Sequence, residues 1–276
     1  MAGTLFIVGT PIGNLEDLTE RARRTLASVD LIAAEDTRRA GTLLKGLGIS
    51  SRLVSLFDAN EADRTPELLT VLREGRDVAI VSDGGMPLVS DPGYRVVAAA
   101  TAAGIGVRVV PGPSAAIAAL VISGLAVDRW AFEGFLPKKA VARRRRLESV
   151  ADDTRTLVFF ESPRRVADLL TAVIDVLGDR RVAVCRELTK LHEETKRGPA
   201  SRVLAALVDG PLRGEVVVVV AGAADPGGSD TGAAAEQARA LVAGGQRPRQ
   251  AARDAANAHG VAANDVYRAL LETEEP

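Results

Sequence analysis

The chain has 276 residues, 47% hydrophobic and 26% charged, with a formal net charge of −1. This is ordinary globular usage, with apolar material for two domains or one large one, and near-neutrality excludes a global field for a polyanion, so a nucleic-acid partner must be read from local patches. One cysteine, Cys185, excludes an internal disulfide; in "RRVAVCREL" it reads as a buried small residue. No apolar run approaches the ~18 residues of a membrane span. "MAGTLFIVGTP" lacks the basic leader and cleavage site of a signal peptide, so a soluble cytoplasmic protein is expected. In chain order, "TLFIVGT" predicts a buried strand and "LTERARRTLASV" a helix with Leu18, Ala22, Leu26 and Val29 near one face. "DLIAAED" predicts a second strand, "TLLKGLG" the end of a short helix, and "RLVSLF" a third strand. "TPELLTVLREG" predicts a helix capped at Thr65 with Pro66 in its first position and a stop at Gly75. "DVAIVSD" and "GVRVVPG" give a fourth and a fifth strand around an alanine-rich helix.

Continuous apolar strands separated by helices argue for a mostly parallel sheet covered on both faces. The pattern restarts near residue 115. "RWAFEGFLP", "TRTLVFFESP", "RRVAVCREL" and "RGEVVVVVAG" read as strands, with "RVADLLTAVIDVLG" and "ASRVLAALVDG" as helices between them. Two α/β lobes with a cleft between them are therefore expected, over residues 1–114 and 115–223. A Gly/Ser/Asp-rich linker follows at 224–233. Residues 234–276 read as a small unit of three helices, too small to bury much by itself.

The common catalytic fingerprints are missing. There is no G-x-G-x-x-G after the first strand, no phosphate-binding G-x-x-x-x-G-K-[ST], no H-E-x-x-H and no paired C-x-x-C. His192 and His259 are the two imidazoles, so no metal site is expected. Instead, Gly/Pro-rich loops lie just past strand ends: "GTPIGNLED", "AEDTR", the twelve-residue "SDGGMPLVSDPG" and "PGPSA". Open α/β sheets bind ligands at the carboxyl ends of their strands. Glycine there lets a ligand approach bare backbone, and proline fixes a loop without adding a donor. Any one of these loops could be a rigid turn; four at one edge point to a binding site.

"LFIVGTPIGNLED", "AEDTR", "SDGGMPLVSDPG", "VPGPSA", "FEGFLPKK", "FFESPRR" and "CRELTKLHEE" together resemble the small-subunit ribosomal RNA methyltransferase I family, part of the tetrapyrrole-methylase-like superfamily of S-adenosylmethionine enzymes. The resemblance covers residues 4 to about 222. It implies a tetrapyrrole-methylase-like fold, with the donor held in the cleft by Pro11, Asp83, Gly84, Met86, Val89, Ser114, Ala115 and Phe160. It also implies a homodimer that methylates a cytidine ribose 2′-hydroxyl in 16S ribosomal RNA, free or in the small subunit. A tetrapyrrole C-methylase and a non-catalytic RNA-binding module are the alternatives; the arginine run and helical tail count against the first, the donor-site loops against the second.

The run "PKKAVARRRRLESV" places Lys138, Lys139, Arg143, Arg144, Arg145 and Arg146 within nine residues. Such a cluster binds a phosphate backbone by counterion release, although the same run also suits a solvated helix face. Arg164, Arg165, Arg247, Arg249 and Arg253 are possible extensions. A ribose hydroxyl gains from a base that takes its proton. Glu187 and Asp36, both just past strand ends, are the candidate bases, with Lys190 orienting ribose or phosphate. A salt-bridged cleft wall is the plainer reading of all three.

Overall fold

The computed structural model of the chain describes residues 1–207, 214–224, 231–259, 261 and 263–271. The expected linker falls mostly on 225–230, outside the described residues. The chain divides into two compact units, one of Met1–Ala151 with Arg155–Ala221, the other of Asp152–Thr154 with Gly222–Pro276.

The first unit opens with β1 (Leu5–Val8), α1 (Glu20–Ser28), β2 (Leu31–Ala34), α2 (Thr37–Gly46), β3 (Leu53–Ser55), α3 (Glu61–Arg73), β4 (Val78–Val81), α4 (Tyr94–Ala102) and β5 (Val107–Val110). The strands form one sheet in the order β3-β2-β4-β1-β5, parallel throughout. Being covered on both faces, β2 and β4 are wholly buried. Leu5, Ile7 and Ile80 pack against Leu68, Leu72 and Val96 of α3 and α4. On the other face Val8, Ile32 and Ala79 meet Ala22, Leu26 and Leu44 of α1 and α2. Because β1 lies beside both β4 and β5, the loops after these three strands meet at one edge. Thr10 and Gly85 exchange backbone hydrogen bonds of 2.9 and 3.0 Å across two of them. Gly9 and Gly112 approach so closely that a Cβ at Gly9 would lie 2.7 Å from Gly112 Cα.

Helix α3 begins a turn before the expected cap. Thr65 and Pro66 lie inside it, and the Thr65 hydroxyl donates to the Glu61 carbonyl oxygen at 2.7 Å. The sequence pattern of a first-turn proline is the same, and buried Glu61 shows why the helix starts earlier: its carboxylate accepts the backbone N–H groups of Gly93 (2.9 Å) and Arg95 (2.8 Å), tying the start of α3 to the start of α4.

The unit continues with α5 (Ala115–Ile122), β6 (Trp130–Phe135), α6 (Ala140–Glu148), β7 (Thr156–Glu161), α7 (Val166–Leu177), β8 (Arg181–Arg186), β9 (Glu194–Pro199), α8 (Ala200–Ala205) and β10 (Val216–Val220). Their sheet has the order β6-β7-β10-β8-β9. The β6–β7 pair is parallel and the other three pairs are antiparallel. β9 was not expected: "ETKRGP" is a polar edge strand without apolar alternation, placed by its pairing with β8. The all-valine β10 is buried along its length. Phe159 and Leu157 pack on Leu169, Leu170 and Val173 of α7. Val158, Cys185 and Val217 on the other face pack on Ala116, Ala119 and Leu120 of α5. Cys185 is fully buried, and burial raises its thiol pKa, as suits an inert core residue.

The second unit contains α9 (Thr231–Ala243), α10 (Pro248–His259) and α11 (Ala263–Leu271). Ala234, Ala238, Ala251 and Ala255 form its centre with Val266 and Leu270.

Candidate active site

A cavity of about 870 Å³ lies at the carboxyl edge of the parallel sheet, bounded on its far side by loops of the mixed one. Residues following β1, β2, β4 and β5 supply one wall; those at the end of β7, before β10 and around Leu188 supply the other. Pro11, Asp83, Gly84, Met86, Val89, Ser114, Ala115 and Phe160 all line it, as does Lys190. Asp36, Glu187 and the six basic residues at 138–146 do not.

The apolar lining includes Met86, Val89, Ala115, Phe160, Leu188 and Val217. Phe160 is held edge-on between Phe132 and Phe135, with ring centroids 4.9 and 5.6 Å away. Asp83 is bridged by Arg39 at 3.1 Å and accepts the Asp36 backbone N–H at 3.1 Å. A carboxylate has about four lone-pair sites, so it retains capacity for a ligand's hydroxyl groups.

On the far wall a left-handed turn carries Glu187 (φ 50°) and Thr189 (φ 66°). Lys190 Nζ donates to Glu187 Oε1 at 2.8 Å and to Glu215 Oε2 at 3.1 Å. Glu187 Oε1 also accepts the Glu215 backbone N–H at 3.0 Å. A Cβ at Gly214 (φ 88°) would run into the Glu187 carboxylate, so glycine is required there by space and by backbone. The Lys190 hydrogen bond holds the Glu187 carboxyl below the usual range. Burial lowers the Lys190 pKa, but its bonds to Glu187 and Glu215 outweigh that and raise it. The arrangement presents a fixed ammonium to the cavity, with Glu187 as its anchor.

Asp36 is the N-cap of α2, accepting the Arg38 N–H at 2.8 Å, and its other oxygen pairs with the Arg38 guanidinium at 2.8 Å. Those bonds hold its carboxyl far below the usual range. The sequence does not single out two other carboxyls that line the cavity, Glu35 and Asp91. Burial, then the nearby Asp83 charge, raises the Glu35 pKa. Burial, then Glu35, raises Asp91 to about 6. Glu35 and Asp36 both follow β2, which is buried on both faces and carries no alternation to separate them; Asp91 was hidden by its place ten residues beyond β4.

The basic run forms α6 and the turn before it. Arg144 pairs with Glu148 at 2.8 Å, and Arg146 pairs at 2.6 Å with Glu133, whose side chain is only 6% exposed. Arg145, Lys138 and Lys139 are exposed and have no carboxylate partner among the described residues.

The sequence profile of the family described as Tetrapyrrole (Corrin/Porphyrin) Methylases matches residues 4–204. The chain is 46% identical over 276 residues to "Ribosomal RNA small subunit methyltransferase I" of Mycobacterium tuberculosis (strain CDC 1551 / Oshkosh), covering 99% of this chain and 96% of that one. The protein of the same name from Escherichia coli O157:H7 is 45% identical over 275 residues, with the same coverage. That from Thermotoga maritima is 48% identical over 220 residues, 80% of this chain and 99% of that one. Among solved structures, the uroporphyrin-III-C-methyltransferase from Thermus thermophilus superposes with a TM-score of 0.55 at 24% identity, covering 80% of this chain and 93% of that one. Diphthine synthase gives 0.59 at 14% identity, with 79% and 89% covered. At these identities the likeness shows the fold alone.

Proposed function

The chain belongs to the ribosomal RNA small subunit methyltransferase I family of the tetrapyrrole methylases, and on that premise we propose that it methylates the 2′-hydroxyl of a cytidine ribose in 16S ribosomal RNA, using S-adenosylmethionine. The observation that carries this reading is the cavity at the strand ends, lined by all eight residues expected at a donor site. S-adenosylmethionine, when bound, supplies a methyl group on a positively charged sulfur. The lining suits such a molecule. Met86, Val89, Ala115 and Phe160 offer apolar surface for a purine, Gly84 and Pro11 offer bare backbone, and Asp83 offers a carboxylate for ribose hydroxyls.

Lys190 orients the acceptor ribose or its phosphate, and Glu187 keeps the ammonium in place. Asp36 fixes the start of α2, from which Arg39 reaches Asp83. Methyl transfer is an in-line displacement, so positioning is a large part of what these groups contribute. Lys138, Lys139 and Arg143 to Arg146 bind RNA backbone, with Arg145 and the two lysines exposed and without a carboxylate partner among the described residues.

The ribosomal RNA substrate proposed above puts its action in the cytoplasm; among the described residues no helix is long and apolar enough to cross a membrane. It acts as a homodimer, for which exposed Val109 on the edge strand β5 and exposed Val121 on α5 offer apolar surface; sedimentation of the purified chain checks this. The functional reading is tested by nucleoside-resolved mass spectrometry of 16S ribosomal RNA with and without the gene. Loss of one 2′-O-methylcytidine, restored by the cloned gene, supports it; an unchanged map overturns it.

A further inference from the structure

The functional reading leaves the acceptor hydroxyl without a proton acceptor. Neither Glu187, whose Oε1 is bonded to Lys190 and the Glu215 amide, nor Asp36, bonded to Arg38 and the α2 N-terminus, is among the residues that line the cavity. Asp91 lines the cavity and has no such employment. Asp91 does not cap α4: the N-cap is Gly93, and the Gly93 and Arg95 amides donate to Glu61 from α3. No cation pairs with Asp91 among the described residues, and the nearby Ser82 hydroxyl, which donates to the Gly85 carbonyl oxygen at 3.5 Å, only partly offsets the upward shift of its carboxyl. The loop that carries it holds Leu88 (φ 72°) and Ser90 (φ 68°) in the left-handed region. Strain of that kind persists only where the surroundings over-determine the backbone, and it clusters at functional sites.

We propose that Asp91 is the proton acceptor in methyl transfer, an inference that rests on the functional reading above. Its carboxylate takes the acceptor hydroxyl's proton while that oxygen bonds to the methyl carbon of the methylsulfonium donor. The methyl carbon–sulfur bond breaks, and its electron pair leaves on sulfur as a neutral thioether. The carboxylic acid so formed gives its proton to solvent. The groups around Asp91 suit this role: Glu35 after β2, Asp58 after β3 and Asp83 after β4 are all acidic, and Arg39, the cation acting on Glu35, is committed to Asp83. Burial and these charges bring the carboxyl to about 6, basic enough to accept a proton and still ionised at neutral pH.

The test has two readouts. In the ligand-free protein labelled with ¹³C-carboxyl aspartate, the resonance missing from Asp91→Asn should titrate near pH 6. A midpoint near 4 overturns the inference whatever the acceptor. In single turnovers with donor and undermethylated small subunits saturating, the wild-type rate should fall tenfold per pH unit below that midpoint. Asp91→Asn should lose about a hundredfold or more together with the pH dependence, with donor affinity unchanged. Asp91→Glu should recover part of the rate. An Asp91→Asn protein with near-normal rate, or with the same pH limb, overturns the inference. A wild-type protein that methylates no small-subunit RNA overturns the functional reading instead.

Discussion

Asp91 lines one wall of the cleft and Glu187 lies behind Lys190 of the other, and their carboxyls move in opposite directions. The Lys190 ammonium lies 2.8 Å from Glu187 and pulls its pKa down, whereas burial and the Glu35 charge push Asp91 up. On one wall a single ammonium holds two carboxylates, Glu187 and Glu215, whereas Asp91 has no cation paired with it among the described residues. A carboxylate near a fixed cation is a good anchor and a poor base; one buried among like charges has the reverse character. The difference assigns holding to the Glu187 wall and proton transfer to the Asp91 wall.

The largest separation of the two walls short of the Asp91 variants should come from Lys190→Met. Losing a fixed cation at the acceptor should cost about a hundredfold in single-turnover rate, with donor affinity retained. Glu187→Gln should cost about tenfold, since it acts through the placement of Lys190. Equal losses would place both residues in one role. Next comes RNA affinity, measured between 50 and 200 mM salt. Replacing Lys138, Lys139 and Arg145 with glutamine should flatten the log–log salt slope by about 2–3, near 0.7–0.9 per lost phosphate contact. Unchanged affinity and slope would leave the run as a solvated helix face.

Two smaller effects are read in stability. Arg146→Gln leaves buried Glu133 without its cation and should cost about 1–2 kcal/mol, less than a fully buried pair because the arginine is half exposed. Arg145→Gln should be neutral within about 0.5 kcal/mol. Thermal unfolding compares the two variants directly. For Asp91 the sign follows from a folded pKa of about 6 against an ordinary 3.8. Between those values the folded chain binds more protons, so its stability falls as pH rises through the window and stays lower above it. Asp91→Asn should therefore raise Tm at pH 8, by about 2–4 °C after discounting for partial exposure, and by nothing at pH 3.5. A pH-independent difference would place Asp91 outside the buried, like-charged setting.

Much of the fold was legible in the sequence because its strands are buried on both faces. "VAIV" and "VVVVV" cannot be read as anything exposed, and each is fully buried. Polar β9 was not legible, since only its pairing with β8 makes it a strand. The start of α3 was displaced because Thr65–Pro66 imitates a helix start, while the true start is set by Glu61 bonding to residues more than thirty positions away. The Gly/Pro loops just past strand ends pointed to a site at that edge; the individual lining residues were implied by the family resemblance and not by composition. Which carboxylate stays uncommitted was not: the Glu215 amide on Glu187 and the Glu61 cap on α4 are contacts between distant segments, and composition carries no trace of them.

The central claim is that the cavity between the two sheets holds S-adenosylmethionine. Gly84→Val is a blunt probe of it, because a Cβ at Gly84 already comes 3.2 Å from the Pro11 carbonyl oxygen and a valine would shift two loops. Ala115, on the first turn of α5 and lining the cavity, is a cleaner position: Ala115→Phe fills the space. Calorimetric titration of S-adenosylmethionine into the wild-type chain and into Ala115→Phe tests the claim most directly. The account predicts one site per chain in the wild type, and in a variant of unchanged Tm a loss of affinity beyond about a hundredfold, the scale of a few kcal/mol for overpacking. Wild-type affinity in the folded Ala115→Phe protein, or no binding by the wild type, would contradict it.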